Sequence, residues 1–148
     1  ADRDALVEGL LDGTIDCIAT DHAPHSAEEK GKGLAGSMNG IVGLETAFPI
    51  LYTNLVESGL VPVETLINAM SLNPRKIFGL PGGSLEVGGT ADITVLGLER
   101  PYVIHSSDFR SLGRATPFEG WGVSANVAMT LCGGEVVYHN LHQQEAYL

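Results

Sequence analysis

Ile15-Asp16-Cys17-Ile18-Ala19-Thr20-Asp21-His22-Ala23-Pro24-His25 is the stretch on which the reading of this chain turns. Its first five residues are a short apolar run between Gly13 and the polar Thr20-Asp21. Such a run suits a buried strand of parallel type better than a helix, which would be too short to persist. Thr20 and Asp21 then stand at the C-terminal end of that strand, where βα barrels place catalytic groups. Upstream, Leu6, Val7, Leu10 and Leu11 trace one face of a helix, and Gly13 sits where a glycine stop belongs.

Downstream, residues 21–43 hold five glycines, a proline and many small polar side chains, the composition of a long loop. Loops of that length in compact domains are commonly functional or mobile. Helical spacing returns at Leu44, Ala47, Phe48, Leu51, Tyr52 and Leu55, with Pro49 in the first turn or at a kink, and Gly59 closes the helix. Pro62 opens another helix carried by Val63, Leu66, Ile67 and Met70. Asn73-Pro74 reads as the cap and first position of a short helix that runs through Phe78 and stops at Gly79.

After Pro81 the texture becomes β-rich, with runs at residues 91–96, 102–104, 127–131 and 135–138. Gly133-Gly134 between the last two runs is a hairpin signal, and the segment from Asn140 onward reads as a polar, loosely held tail. The first 80 residues thus supply one strand and about four helices, whereas a βα barrel closes with eight strands in about 250 residues. The strand needs neighbours on both sides. They are expected upstream of Ala1, a residue that stands where an initiating Met is absent.

Composition removes several function classes. The formal charge is −10, from 18 acidic against 8 basic side chains, and no window gathers Lys and Arg into a patch for phosphate backbones. Nucleic acid is therefore not an expected partner. An acidic surface also repels anionic lipid, and no apolar run approaches the roughly 20 residues of a membrane span. Cys17 and Cys132 stand far apart without CxxC spacing, so neither a zinc knuckle nor a disulfide framework is indicated, and a reducing cytoplasm fits best.

At the strand end, Asp21 is followed by His22 and His25, with Pro24 between them to prevent a regular helix, so the two imidazoles need not share a face. Two readings stand at this level. A carboxylate and imidazoles beside a glycine-rich loop suit a divalent metal, although a catalytic zinc usually takes three protein ligands and this chain offers too few. Alternatively, Asp21 caps the loop through backbone N–H groups, with His22 and His25 at the surface. His105, His139 and His142 stand singly and are assigned structural or solvent roles. Lys30 and Lys32 read as solvated loop charges, with contact to an anionic substrate as the minor alternative.

The string Thr20-Asp21-His22-Ala23-Pro24-His25, with Lys30 five residues beyond His25, resembles the second signature of the dihydroorotases of bacterial class I type. The likeness continues through residues 40–49, Asn73-Pro74, residues 89–93 and residues 116–120, and so spans nearly the whole chain. Hydantoinases and allantoinases are related through the metal-binding Asp, without the Ala-Pro-His that follows it. The resemblance implies the interconversion of N-carbamoyl-L-aspartate and L-dihydroorotate in pyrimidine synthesis, with Zn2+, one ion or two, as cofactor. It gives Asp21 two jobs, metal ligand and general acid/base. It makes His25 a contact for the substrate carboxylate and Asn39-Gly40 a substrate-binding loop.

In fold, the resemblance implies an α/β chain: residues 1–80 as the C-terminal βα units of an amidohydrolase (β/α)8 barrel, and residues 81–148 as part of a small β-sandwich, both incomplete. The family's His-x-His pair, the arginine after it and its further ligands have no counterpart in this sequence. The partners implied are the missing N-terminal part of the enzyme, the small-molecule substrate, and a second copy or aspartate transcarbamoylase. Two other functions remain open. One is a non-catalytic dihydroorotase-like partner of aspartate transcarbamoylase, and the other is a cyclic amidohydrolase of hydantoinase or allantoinase type.

Overall fold

In the computed structural model, which describes residues 2–140, helix α1 (Asp2–Asp12) ends as expected. Gly13 takes a φ of 83°, and the Asp12 carboxylate accepts the Thr14 N–H at 2.8 Å. The chain then folds back, so that Ile15 N–H donates to the Gly9 carbonyl at 2.8 Å. Residues 15–19 run on in no sheet, which corrects the strand expected there. A strand is stabilised by a ladder to a neighbour about 4.8 Å away. The neighbours here are helical instead: Ile18 N–H donates to Ala69 O at 3.0 Å, and the Asn73 side-chain amide donates to Asp16 O at 2.8 Å.

The long glycine-rich segment also differs from its expectation, because it contains two single-turn helices, α2 (Ala27–Lys30) and α3 (Gly33–Gly36). A capping box starts α2: Ser26 Oγ accepts Glu29 N–H at 3.2 Å, and the Glu29 carboxylate accepts Ser26 N–H at 2.9 Å. Helix α4 (Ala47–Leu51) has Pro49 in its first turn, where a missing N–H costs nothing, and it widens into a π segment over Tyr52–Val56. Gly59 closes this unit at a φ of 75°.

Pro62 caps α5 (Val63–Ile67), which passes through a π segment (Asn68–Leu72) into α6 (Asn73–Phe78), and Gly79 stops it in the left-handed conformation. Two separate helices were expected here; the structure has one run. Pro74 can donate no backbone bond, and the wider register just before it lets the chain continue across that gap. Asn73 is accordingly not a cap, and its side chain is used on Asp16.

The β-rich half forms β1 (Ile93–Gly97), β2 (Tyr102–Val103), β3 (Gly122–Val123), β4 (Asn126–Cys132) and β5 (Glu135–His139). An antiparallel sheet orders them β1-β4-β5, with Thr94 opposite Thr130 and Thr130 opposite Tyr138, and β2 pairs antiparallel with β3. Gly133 and Gly134 take φ of 58° and 88°, the positive values that a tight hairpin turn requires, as their sequence indicated. His142 lies outside the described residues, as does the rest of the tail after Asn140.

Two small cores hold the chain together. Val42, Ile104, Phe109 and Val123 form one, flanked by Ile50, Tyr102 and Phe118. Phe48, Leu66 and Ala125 form the other, flanked by Ile18, Tyr52 and Leu96. Each joins residues from both sides of Pro81. Burying a leucine such as Leu66 contributes about 1.5–3 kcal/mol, and here it ties the helical part to the β-rich part.

Candidate active site

The signature segment and the glycine loop lie side by side. His22 and Ile41 form an isolated parallel bridge, and Ala23 N–H donates to Ile41 O at 2.9 Å. A Cβ on Gly43 would stand 3.1 Å from Thr20 O, and one on Gly40 would stand 2.6 Å from Ala23 Cβ and 3.3 Å from His25 Cδ2. Gly40 also has a φ of 128°, so glycine is required there both by conformation and by space. The structure thus brings His25 and Gly40 together, with Asn39 exposed beside them.

Asp21 is the one non-glycine residue with positive φ among the described residues, at 48°, and it is exposed. Holding an aspartate in this conformation costs free energy, and such strain tends to be kept at functional positions. Its carboxylate makes no hydrogen bond among the described residues, so the capping reading of Asp21 does not describe it. The loop is held instead by the side chains of its neighbours.

His22 performs one of these holding roles. Its Nδ1 accepts Gly43 N–H at 3.0 Å and Leu44 N–H at 3.2 Å, which places the ring proton on Nε2, 3.5 Å from Ser111 Oγ. His25 faces elsewhere, as Pro24 allows: its Nδ1 is 3.7 Å from Glu29 Oε2. The Ser26 N–H and hydroxyl, with the nearby His25 and Lys32, outweigh desolvation, which acts the other way, and leave Glu29 below the ordinary carboxylate value. Glu29 is therefore an anion at neutral pH.

Lys30 is not a solvated charge. Its ammonium donates to Met38 O and to Gly40 O, each at 2.9 Å, so the expectation for this residue is corrected. Lys32 is exposed, as expected.

A strap from the β-rich half covers the other side. The Glu45 carboxylate accepts Arg110 N–H at 2.8 Å and Ser111 N–H at 3.0 Å. Burial pushes this carboxyl up, but the two N–H bonds, the Ser111 hydroxyl and the Arg110 charge outweigh it and leave it below its ordinary value. Gly113 is buried against the signature, and a Cβ there would stand 2.8 Å from Pro24 Cβ. Arg114 donates to Ser106 O and Phe109 O, and Val42 N–H donates to Ala115 O at 2.9 Å. Sequence reasoning missed Glu45, Ser111 and Gly113 as parts of the site, because no local spacing links positions 65 residues apart. Of the lone histidines, His105 pairs with Glu119 at 3.1 Å on the surface, a structural role, and His139 stands on β5.

A separate cavity of about 670 Å³ lies between α4, β2, β4 and β5, lined in part by Glu45, Tyr102, Phe109 and Arg110. Across it the Arg110 guanidinium stands 5.2 Å from the Tyr138 ring centroid.

No group of three or more His, Cys, Asp or Glu side chains able to hold a metal occurs among the described residues. Asp21 nevertheless suits a single ligand, since its carboxylate is exposed and has no hydrogen-bond partner among the described residues. His22 does not suit one through Nδ1, which is taken by two amides. The residues present therefore fit a metal that draws its other ligands from outside them.

Residues 1–137 match the model of the Amidohydrolase family, and the chain belongs to that family. It is 53% identical over 137 residues to the dihydroorotase of Bacillus cytotoxicus, which covers 93% of this chain and 32% of that protein. The dihydroorotase of Bacillus caldolyticus is 52% identical over the same shares. Among solved structures, L-hydantoinase (dihydropyrimidinase) from Arthrobacter aurescens superposes with a TM-score of 0.82 at 37% identity, over 90% of this chain and 31% of that one. D-Hydantoinase from a Thermus species gives 0.83 at 27% identity, over 91% and 31%. The chain spans about a third of the length of the curated relatives it matches. It is an α/β chain of amidohydrolase type, and no helix among the described residues is long and apolar enough to cross a membrane.

Proposed function

We propose that this chain is the C-terminal part of a zinc-dependent dihydroorotase, in which residues 1–80 complete a (β/α)8 barrel and residues 81–148 complete a small β-sandwich. One observation carries the reading: Asp21, exposed and held at a positive φ, stands on a segment bridged to the Asn39-Gly40 loop, with His25 against Gly40. The likeness to the dihydroorotases supports it. Leu34 and Leu112, fully exposed apolar side chains near this loop and strap, suit burial against the rest of such an enzyme.

In this reading Asp21 gives one ligand to the zinc, and the others come from the remaining two-thirds of the enzyme. The metal, when bound, polarises the amide carbonyl and makes water a better nucleophile at neutral pH. Opening the dihydroorotate ring breaks a C–N amide bond, so a proton must leave the attacking water and reach the departing nitrogen. The Asp21 carboxylate takes that proton and returns it. His25, the signature residue set against Gly40, is the contact for the substrate carboxylate, and its Nδ1 lies 3.7 Å from Glu29 Oε2. Asn39 and Gly40 offer backbone groups at close range. Catalysis takes place in the cytoplasm, with two reduced cysteines, and a second copy or aspartate transcarbamoylase is the macromolecular partner.

The hydantoinase reading is favoured by the likeness to the Arthrobacter enzyme and differs in substrate alone. The non-catalytic reading gives no reason for an exposed aspartate held at a positive φ at position 21. The test is to express the chain joined to the remaining two-thirds of the enzyme, then assay dihydroorotate, hydantoin and allantoin with zinc content measured in parallel. Dihydroorotate turnover is expected to dominate, with the isolated 148 residues inactive. Preference for hydantoin, or full activity of the isolated chain, would overturn the proposal.

A further inference from the structure

A single ammonium binds the two carbonyl groups that flank Asn39. Lys30 Nζ reaches Met38 O and Gly40 O at 2.9 Å each, spanning eight and ten residues. The stem that carries it is fixed at several points. Lys30 N–H donates to Ser26 O at 3.0 Å, the Lys30 carbonyl accepts Ser37 Oγ at 2.6 Å, and Glu29 O accepts Met38 N–H at 3.1 Å. On its other side Gly40 abuts Ala23 and His25 so closely that a Cβ does not fit. Asn39-Gly40 is thus held between Lys30 and the Ala23–His25 wall.

We propose that Lys30 is a positioning residue, which clamps the carbonyls on either side of Asn39 and sets the loop against His25 before substrate arrives. The proposal rests on the dihydroorotase reading for its substrate, and on the hydrogen bonds alone for the clamp. A loop ordered in advance loses less conformational freedom on binding, so the gain is in affinity and not in the chemical step. Lys30 is a donor to the protein backbone here, not to the ligand.

The test uses the full-length enzyme with Lys30→Met, which keeps the stem and removes the donors, and Lys30→Arg, which keeps two N–H groups able to reach both carbonyls. Lys30→Met is expected to raise KM for dihydroorotate about tenfold, the equivalent of about 1.4 kcal/mol, with kcat within about threefold of wild type. Hydrogen exchange at the amides of residues 38–41 should quicken about tenfold in parallel, and Lys30→Arg should recover part of both effects.

A raised KM with unchanged exchange would mean that Lys30 touches the substrate itself, and would overturn the proposal. So would faster exchange with both KM and kcat unchanged. Should Lys30→Met not fold, Ser37→Ala removes the bond that braces the Lys30 carbonyl, and no shift in KM or exchange in that variant would also overturn it. If the wild-type enzyme does not turn over dihydroorotate, the functional reading falls, and the exchange measurement alone decides the clamp.

Discussion

The Nδ1 atom of His22 accepts the backbone N–H of Gly43 at 3.0 Å, so the histidine of the signature that lies next to Asp21 is a structural acceptor. The same atom takes Leu44 N–H at 3.2 Å. His22→Ala leaves both amides without a partner and should cost about 1–3 kcal/mol in urea unfolding of the full-length enzyme. His22→Asn, whose carbonyl oxygen falls near the position of Nδ1, should recover most of that loss. Equal losses in the two variants would show that the two bonds do not matter.

Asp21 sets stability against activity. Asp21→Asn tolerates the φ of 48° and should keep the melting temperature while turnover disappears. Asp21→Gly relieves the conformation and should stabilise the enzyme by up to about 1 kcal/mol, again without activity. Calorimetry with the dihydroorotate assay checks both, and near-normal turnover in either variant would refute the role given to Asp21.

Glu45 makes the strap sensitive to acid. Its carboxyl is lowered from the ordinary 4.5 in the folded chain: burial raises it, but the two backbone N–H bonds, the Ser111 hydroxyl and the Arg110 charge together outweigh that. A depressed folded value means that the contribution is fully present above pH 4.5 and is lost as pH falls through the lower folded value. Stability measured from pH 6 down to pH 3 should therefore fall on the acid side, and Glu45→Gln should flatten part of that slope. An identical slope in the variant would count against this assignment.

Space at two glycines gives a contrast. Gly113→Ala places a Cβ 2.8 Å from Pro24 Cβ and 3.1 Å from His25 N, so the strap must move off the signature. A loss of about 1–3 kcal/mol and a raised KM are expected. Gly122→Ala, which meets nothing within 4 Å, should leave both within error. The two variants compared in one unfolding and kinetic series provide the check.

The legible parts of this chain were the local ones. The stop after α1 at Gly13, the opening of α5 at Pro62, the αL cap at Gly79 and the Gly133-Gly134 hairpin each depend on the conformational range of one or two residues. The family was legible as well, because residues 20–25 carry its signature and residues 1–137 match its model. The segment at residues 15–19 was read as a strand because its apolar run has that length. Strand formation also requires a neighbouring strand, and the neighbours here are Ala69 and Asn73 on a helix. The capping box at Ser26 and Glu29 was present in the sequence and was masked by the glycines around it.

By itself, then, the sequence determined the turns, the helix stops and the family to which the chain belongs, and it singled out Asp21, His25, Asn39 and Gly40 as the candidate site. Only the tertiary structure decided that His22 and Lys30 hold the loop, that Glu45 fastens the strap over 65 residues of chain, and that Gly113 must be small. The physical reason is range. A backbone conformation is settled within a few residues, whereas a hydrogen bond or a close approach between distant segments exists only once packing has brought them together.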